Sequence, residues 1–175
     1  MTNHICGRTQ RRTLLVLACI AITSGCTIFE GQSKPTSART CHLQPLNGEA
    51  EILQSWQGAY PVDKLQLLPE KQREQAIGFI DNAEIFAGVW KAFMQGEAVP
   101  KIDFKINLVL LARNTQFFNR TRISKVNVKS GVAEVLAMET RSAMPIEDKV
   151  AMSLVVVAKQ GITAIQSGDQ IIPIT

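Results

Sequence analysis

Apolar and polar positions change phase repeatedly along this chain, and each change marks an element. From Ala76 to Ala112 the pattern reads strand, helix, strand. AIGFI (76–80) is short and apolar. After it, Ile85, Val89 and Phe93 recur at i, i+4, i+8, and Phe86, Trp90 and Met94 follow one position later. Together they form one broad apolar stripe, with Glu84, Lys91 and Gln95 outside it, as on a helix laid against a core. Asp81 and Asn82 can each accept from the free amides of a first helical turn, Asp81 and Glu84 have the spacing of a capping box, and Gly96 followed by Pro100 marks the stop. Trp90 is expected to be a core side chain with its indole N–H bonded. Ile106 to Ala112 is apolar except for Asn107, which predicts a strand buried on both faces.

The flanking segments read as strands that complete a sheet. Ile52–Gly58 and Val62–Leu68 are short candidates joined by Ala59-Tyr60-Pro61, and residues 69–74 form a charged connection with room for one helical turn. Arg122–Lys129 and Val132–Thr140 flank Ser130-Gly131, a hairpin turn with glycine where positive φ is needed. Ile123 is out of phase with Val126 and Val128, which predicts a bulge near Ser124-Lys125. Residues 142–149 form a loop. Ala151–Ala158 is a second interior strand, Ile162–Ile165 returns after Gln160-Gly161, and Gln170–Ile174 closes the chain with Pro173 placing it at an edge. The predicted class is α+β: a mostly antiparallel β-sheet with one principal amphipathic helix packed on it, in one domain over 49–175.

Residues 1–25 stand outside that pattern. Arg8, Arg11 and Arg12 precede the short apolar run Leu14–Ile22, which is well under the roughly 20 residues of a membrane-spanning helix. Thr23-Ser24-Gly25 and then Cys26 follow. The arrangement resembles a bacterial lipoprotein signal peptide, which implies that Cys26 is lipidated and becomes the new N-terminus. Thr23 stands where that pattern prefers leucine, with Ile22 one place earlier. Arg11-Arg12 bears a fainter likeness to a twin-arginine export signal. Residues 26–48, rich in Ser, Thr, Gly, Pro and Lys, read as a flexible tether. Thr27 after the cysteine implies, by the same resemblance, sorting to the periplasmic face of the outer membrane.

Removing residues 1–25 changes the charge. The chain has nineteen Lys and Arg against fifteen Asp and Glu; three arginines and no acids leave with the signal, so sixteen face fifteen and the remainder carries +1. The high isoelectric point therefore gives no reason to expect a nucleic-acid partner. Of four cysteines, Cys6 and Cys19 leave and Cys26 is acylated, so Cys41 is the one thiol and no internal disulfide framework forms. Without lipidation, Cys26 and Cys41 become a plausible bridge. Cys41-His42 is too few ligands for a metal site, and no second histidine follows. There is no G-x-S-x-G, no phosphate-cradling glycine loop and no zinc spacing, and Asp103, Glu134, Glu139 and Asp148 are scattered. Asp103 is placed to cap a turn. The expectation is a non-catalytic protein without metal or cofactor.

Residues 113–121 are the most unusual stretch. Arg113, Asn114, Asn119 and Arg120 surround Phe117 and Phe118 at a strand exit, where Gly, Pro or Ser is usual. Arginine forks and aromatic rings carry much of the energy of protein interfaces, so these six residues are the candidate recognition patch for an envelope protein. The alternative is a hairpin loop whose phenylalanines cap the core.

The strand AIGFID, the helix ending in VWKAF, Pro100-Lys101-Ile102-Asp103-Phe104 before the buried strand, and the closing VVVAK carry a further likeness. Over about 76–174 the chain resembles the PrcB-like family, bacterial envelope lipoproteins named for a subunit of a surface protease complex. That family often has a Thr-Gly-Gly-Tyr-type turn after the central strand, and this chain has NTQFFNRT there. The resemblance implies a small binding or accessory domain and brings no catalytic residues. A structural envelope lipoprotein without a specific ligand, or a hydrolase, are the other classes. Nothing in the pattern fixes an oligomeric state.

Overall fold

A computed structural model describes residues 47–114, 118–141 and 148–174. In chain order the elements are β1 (Gly48–Glu49), β2 (Ile52–Pro61), two 3-10 turns (Val62–Leu67 and Glu70–Gln72), β3 (Ile77–Ile80) and α1 (Ala83–Phe93). Then follow β4 (Asn107–Asn114), β5 (Phe118–Lys129), β6 (Val132–Arg141), β7 (Lys149–Ala158), β8 (Ala164–Ser167) and β9 (Gln170–Pro173).

The two apolar runs, β4 and β7, pair antiparallel with Leu110 opposite Val155. β3 flanks β4 and β2 flanks β7, giving a four-stranded sheet in the order β2-β7-β4-β3. Both faces of the central pair are buried. Leu108, Leu110, Ala112, Val155 and Val157 face one way; Val109, Leu111, Met152, Leu154 and Val156 face the other. The second face is covered by α1 through Phe86, Val89, Trp90 and Phe93. The first is covered by a second sheet, five-stranded, in the order β1-β5-β6-β8-β9, through Ile123, Val126, Val128, Ala133 and Ile165. The protein is thus α+β with mostly antiparallel strands and one main helix, but in two sheets rather than one. A continuous apolar strand needs cover on both faces, and one helix supplies only one.

The β6–β8 pair is parallel, with Val132 opposite Ala164. β7 carries the chain through the other sheet between them, so β8 returns alongside β6 in the same direction. The β5–β6 hairpin turns at Ser130 (φ 53°) and Gly131 (φ 82°), and a register shift falls between Ile123 and Lys125 as the phase change predicts. Pro173 lies in β9, an edge strand. Gly58 in β2 lets the helix approach: a Cβ there would meet the Phe93 ring at 3.1 Å.

Four expectations need correction. Val62–Leu67 is 3-10 helix and β2 runs on through Tyr60 to Pro61, where Val62, Leu65 and Leu67 keep no strand phase. Of the two candidate caps Asn82 takes the role and the Asp81–Glu84 capping box does not form; Asn82 is the last extended residue, so its Oδ1 is the acceptor that reaches the amides of Glu84 (2.8 Å) and Ile85 (3.2 Å). Ile106 is 62% exposed, because the Asp103 turn, closed by Lys105 N–H on Asp103 Oδ1 (3.0 Å), delays the strand to Asn107. Trp90 is buried as expected, but its Nε1 has no hydrogen-bond partner among the described residues.

Candidate functional site

Strand alternation decides where the six candidate residues go. Arg113 lies on the same face of β4 as Val109 and Leu111, so its side chain enters the helix side of the sheet and is 4% exposed. Its Nε donates to Gln75 O at 2.8 Å, and its backbone N–H donates to Ala76 O at 2.8 Å. Burial lowers its pKa from the ordinary arginine value, with Glu74 and Tyr60 acting in the opposite direction. Asn114, half-buried, ends β4 opposite Ala151. Phe117 lies outside the described residues. Phe118 and Asn119 begin β5, and their side chains lie outside the described residues, as do Cys26, Cys41 and His42. Arg120 is exposed and has no ion-pair partner among the described residues. The patch is therefore split: Arg113 serves the interior and Arg120 faces outward.

Tyr60, fully buried beside this interior arginine, donates its hydroxyl to Lys64 O at 2.9 Å. Its pKa is pushed up to about 12, first by burial and then by Asp63, while Arg113 pulls the other way. An unfolded tyrosine ionises near pH 10. Between about pH 10 and 12 the unfolded chain therefore holds fewer protons than the folded one, and stability falls as pH rises. Urea midpoints should drop through that window, and Tyr60→Phe should flatten the drop. An equal slope in both proteins would place the titration elsewhere.

Arg120 leads to a site that the sequence did not single out. Buried Ser153 on β7 donates its hydroxyl to Trp56 O (3.2 Å) and accepts from Ile123 N–H (3.2 Å), which fixes the start of β5 against β2. There Arg120 and Thr121 of β5, residues 55–59 of β2 and Met94 at the helix end line a groove of about 620 Å³. Thr121 is 1% exposed and its Oγ1 has no hydrogen-bond partner among the described residues. Among the described residues β2 is the outer strand of its sheet and pairs only with β7. Its ten residues, ILQSWQGAYP, include no charged side chain. The available sequence signal was the uncharged polar set Gln54, Ser55 and Gln57 between apolar positions, unusual for an edge strand.

Among the described residues no three His, Cys, Asp or Glu side chains converge as a metal site, and no helix is long and apolar enough to cross a membrane. Compared with protein-family models, with curated proteins and with solved structures, the chain matches none.

Proposed function

We propose that this protein is a lipid-anchored, non-catalytic module of the bacterial cell envelope that recognises a protein partner through the groove between β2 and Arg120. The observation that carries recognition is the long uncharged edge of β2 beside an exposed arginine with no ion-pair partner among the described residues. Arginine and tryptophan are the residues that most often anchor a partner, and Arg120 and Trp56 both line this groove. The anchor rests on the basic stretch, short apolar run and small residues before Cys26, and the tether on the composition of 26–48. Such a tether lets the domain reach a partner while it stays at the membrane. The resemblance to envelope accessory lipoproteins agrees with this role.

Two measurements test the two halves. Labelled palmitate should enter the wild-type protein in a bacterial host and not Cys26→Ala; equal labelling of both removes the anchor. For recognition, a photo-crosslinker at Gln57 should yield one defined adduct in the envelope that a crosslinker at Glu134, on the far sheet, does not. Absence of any adduct from Gln57, with the protein folded and localised, leaves a structural lipoprotein instead.

A further inference from the structure

We infer that the ligand of the groove is an extended peptide that adds as a strand to the free edge of β2, with a carboxylate seated on Arg120. This rests on the proposal that the groove recognises a protein. The edges of the two sheets are treated differently. β1 is two residues long and carries the Glu49–Lys125 ion pair at 2.9 Å. β9 is four residues and contains Pro173. β3 is covered, with Ile77 N–H on Ser167 Oγ (3.4 Å) and Gln75 bonded to Gln170 (3.0 Å). Short length, charge, proline and cover are the devices that keep edges from pairing. β2 has a shift at Leu53 and a proline at its last position, and between them Gln54 to Tyr60 runs in unbroken register against β7. Over Gln54 to Tyr60 it is a long uncharged edge with no second strand partner among the described residues, and open edges bind extended peptides through backbone hydrogen bonds.

The groove sets what the added strand must carry. Arg120 stands beside the edge with no acid to pair it among the described residues. A second copy of this chain fits less well: its β2 would bring ten uncharged residues and leave both Arg120 groups unmatched. A strand with an acidic side chain, or one ending in its own carboxylate there, satisfies both the edge and the arginine.

A displayed library of random short peptides, selected on the full-length protein in detergent, tests this. The enriched peptides should alternate apolar and polar residues and share an acid. A selected peptide should slow hydrogen exchange at alternate amides of 54–60. N-methylation of its alternate backbone amides should abolish binding in one phase and spare it in the other. Arg120→Glu, which alters an exposed side chain, should melt like wild type and weaken binding at least about tenfold, the effect of losing one charge-assisted contact of about 1.4 kcal/mol. Peptides that protect other strands, or that bind Arg120→Glu equally, overturn strand addition while leaving recognition intact. Protection of β2 that grows with protein concentration alone makes the occupant a second copy and also overturns it. Failure to select any peptide overturns both this inference and the proposed recognition.

Discussion

Trp90→Ala is expected to lower the stability of the fold by about 3–5 kcal/mol, out of about 5–15 for a domain of this size. Trp90 is 1% exposed and central to the helix–sheet layer. Its ring meets Trp56 edge-on at 5.0 Å, Phe86 at 5.7 Å and Phe93 at 6.3 Å. Truncation removes the piece that these three rings share, and the rigid β-sheet beneath cannot collapse to fill the space. Trp90→Phe should cost much less. It keeps an aromatic ring in the layer and deletes an indole N–H that has no hydrogen-bond partner among the described residues. Trp56 is then the sole tryptophan, so urea unfolding of both variants can be followed by its fluorescence. A Trp90→Ala protein with an unchanged urea midpoint would mean that the helix is not held by this layer.

The central elements were legible because their signals are local. The stripe on α1 and the apolar runs of β4 and β7 state burial directly, and the turn Ser130-Gly131 with the phase slip after Ile123 states the hairpin and its bulge. What periodicity does not state is the covering partner. A strand buried on both faces requires two covers, and residues 106–112 and 151–158 carried that requirement without naming a second sheet. Val62–Leu67 failed for a related reason: a short apolar segment without alternation suits a strand or a turn equally, and Pro61 with the tertiary seat of Leu68 decides for 3-10.

The candidate patch was half legible. Arg113 and Arg120 look alike as sequence, each beside an asparagine. Their fates differ through contacts far along the chain: Arg113 finds the carbonyl of Gln75, and Arg120 finds the edge of β2. The apolar run that precedes Arg113 suggested a strand exit, whereas the ladder continues two residues further and keeps Arg113 in phase with Leu111. No local pattern marks β2 as an outer strand, because edge status depends on which strands the rest of the chain leaves unpaired.

Gly78→Ala tests a contact of that long-range kind. Gly78 in β3 pairs with Leu111, and it does not have positive φ, so alanine is conformationally allowed there. On backbone entropy alone the change should be neutral or favourable by up to about 1 kcal/mol. The surroundings reverse the sign. A Cβ at Gly78 would stand 2.5 Å from Gln72 Oε1 and 3.3 Å from Leu111 Cδ1. Gln72 is 4% exposed, and that same Oε1 accepts the backbone N–H of Phe79. Moving it aside strands a buried donor, at about 1–3 kcal/mol, and crowds Leu111, at about 1–3 more. The expected loss is about 2–6 kcal/mol. Gln72→Ala alone should also destabilise, because Phe79 N–H then has no acceptor. In the Gln72→Ala background only the Leu111 contact remains, so adding Gly78→Ala should cost about 1–3 kcal/mol, less than in the wild-type background. Urea unfolding of the four proteins measures the coupling. A coupling above about 1 kcal/mol is the expected result for residues that share one space. Additive losses would show that Gln72 does not occupy the space over Gly78, and that the seat of β3 on the 3-10 turn Glu70–Gln72 is set by something else.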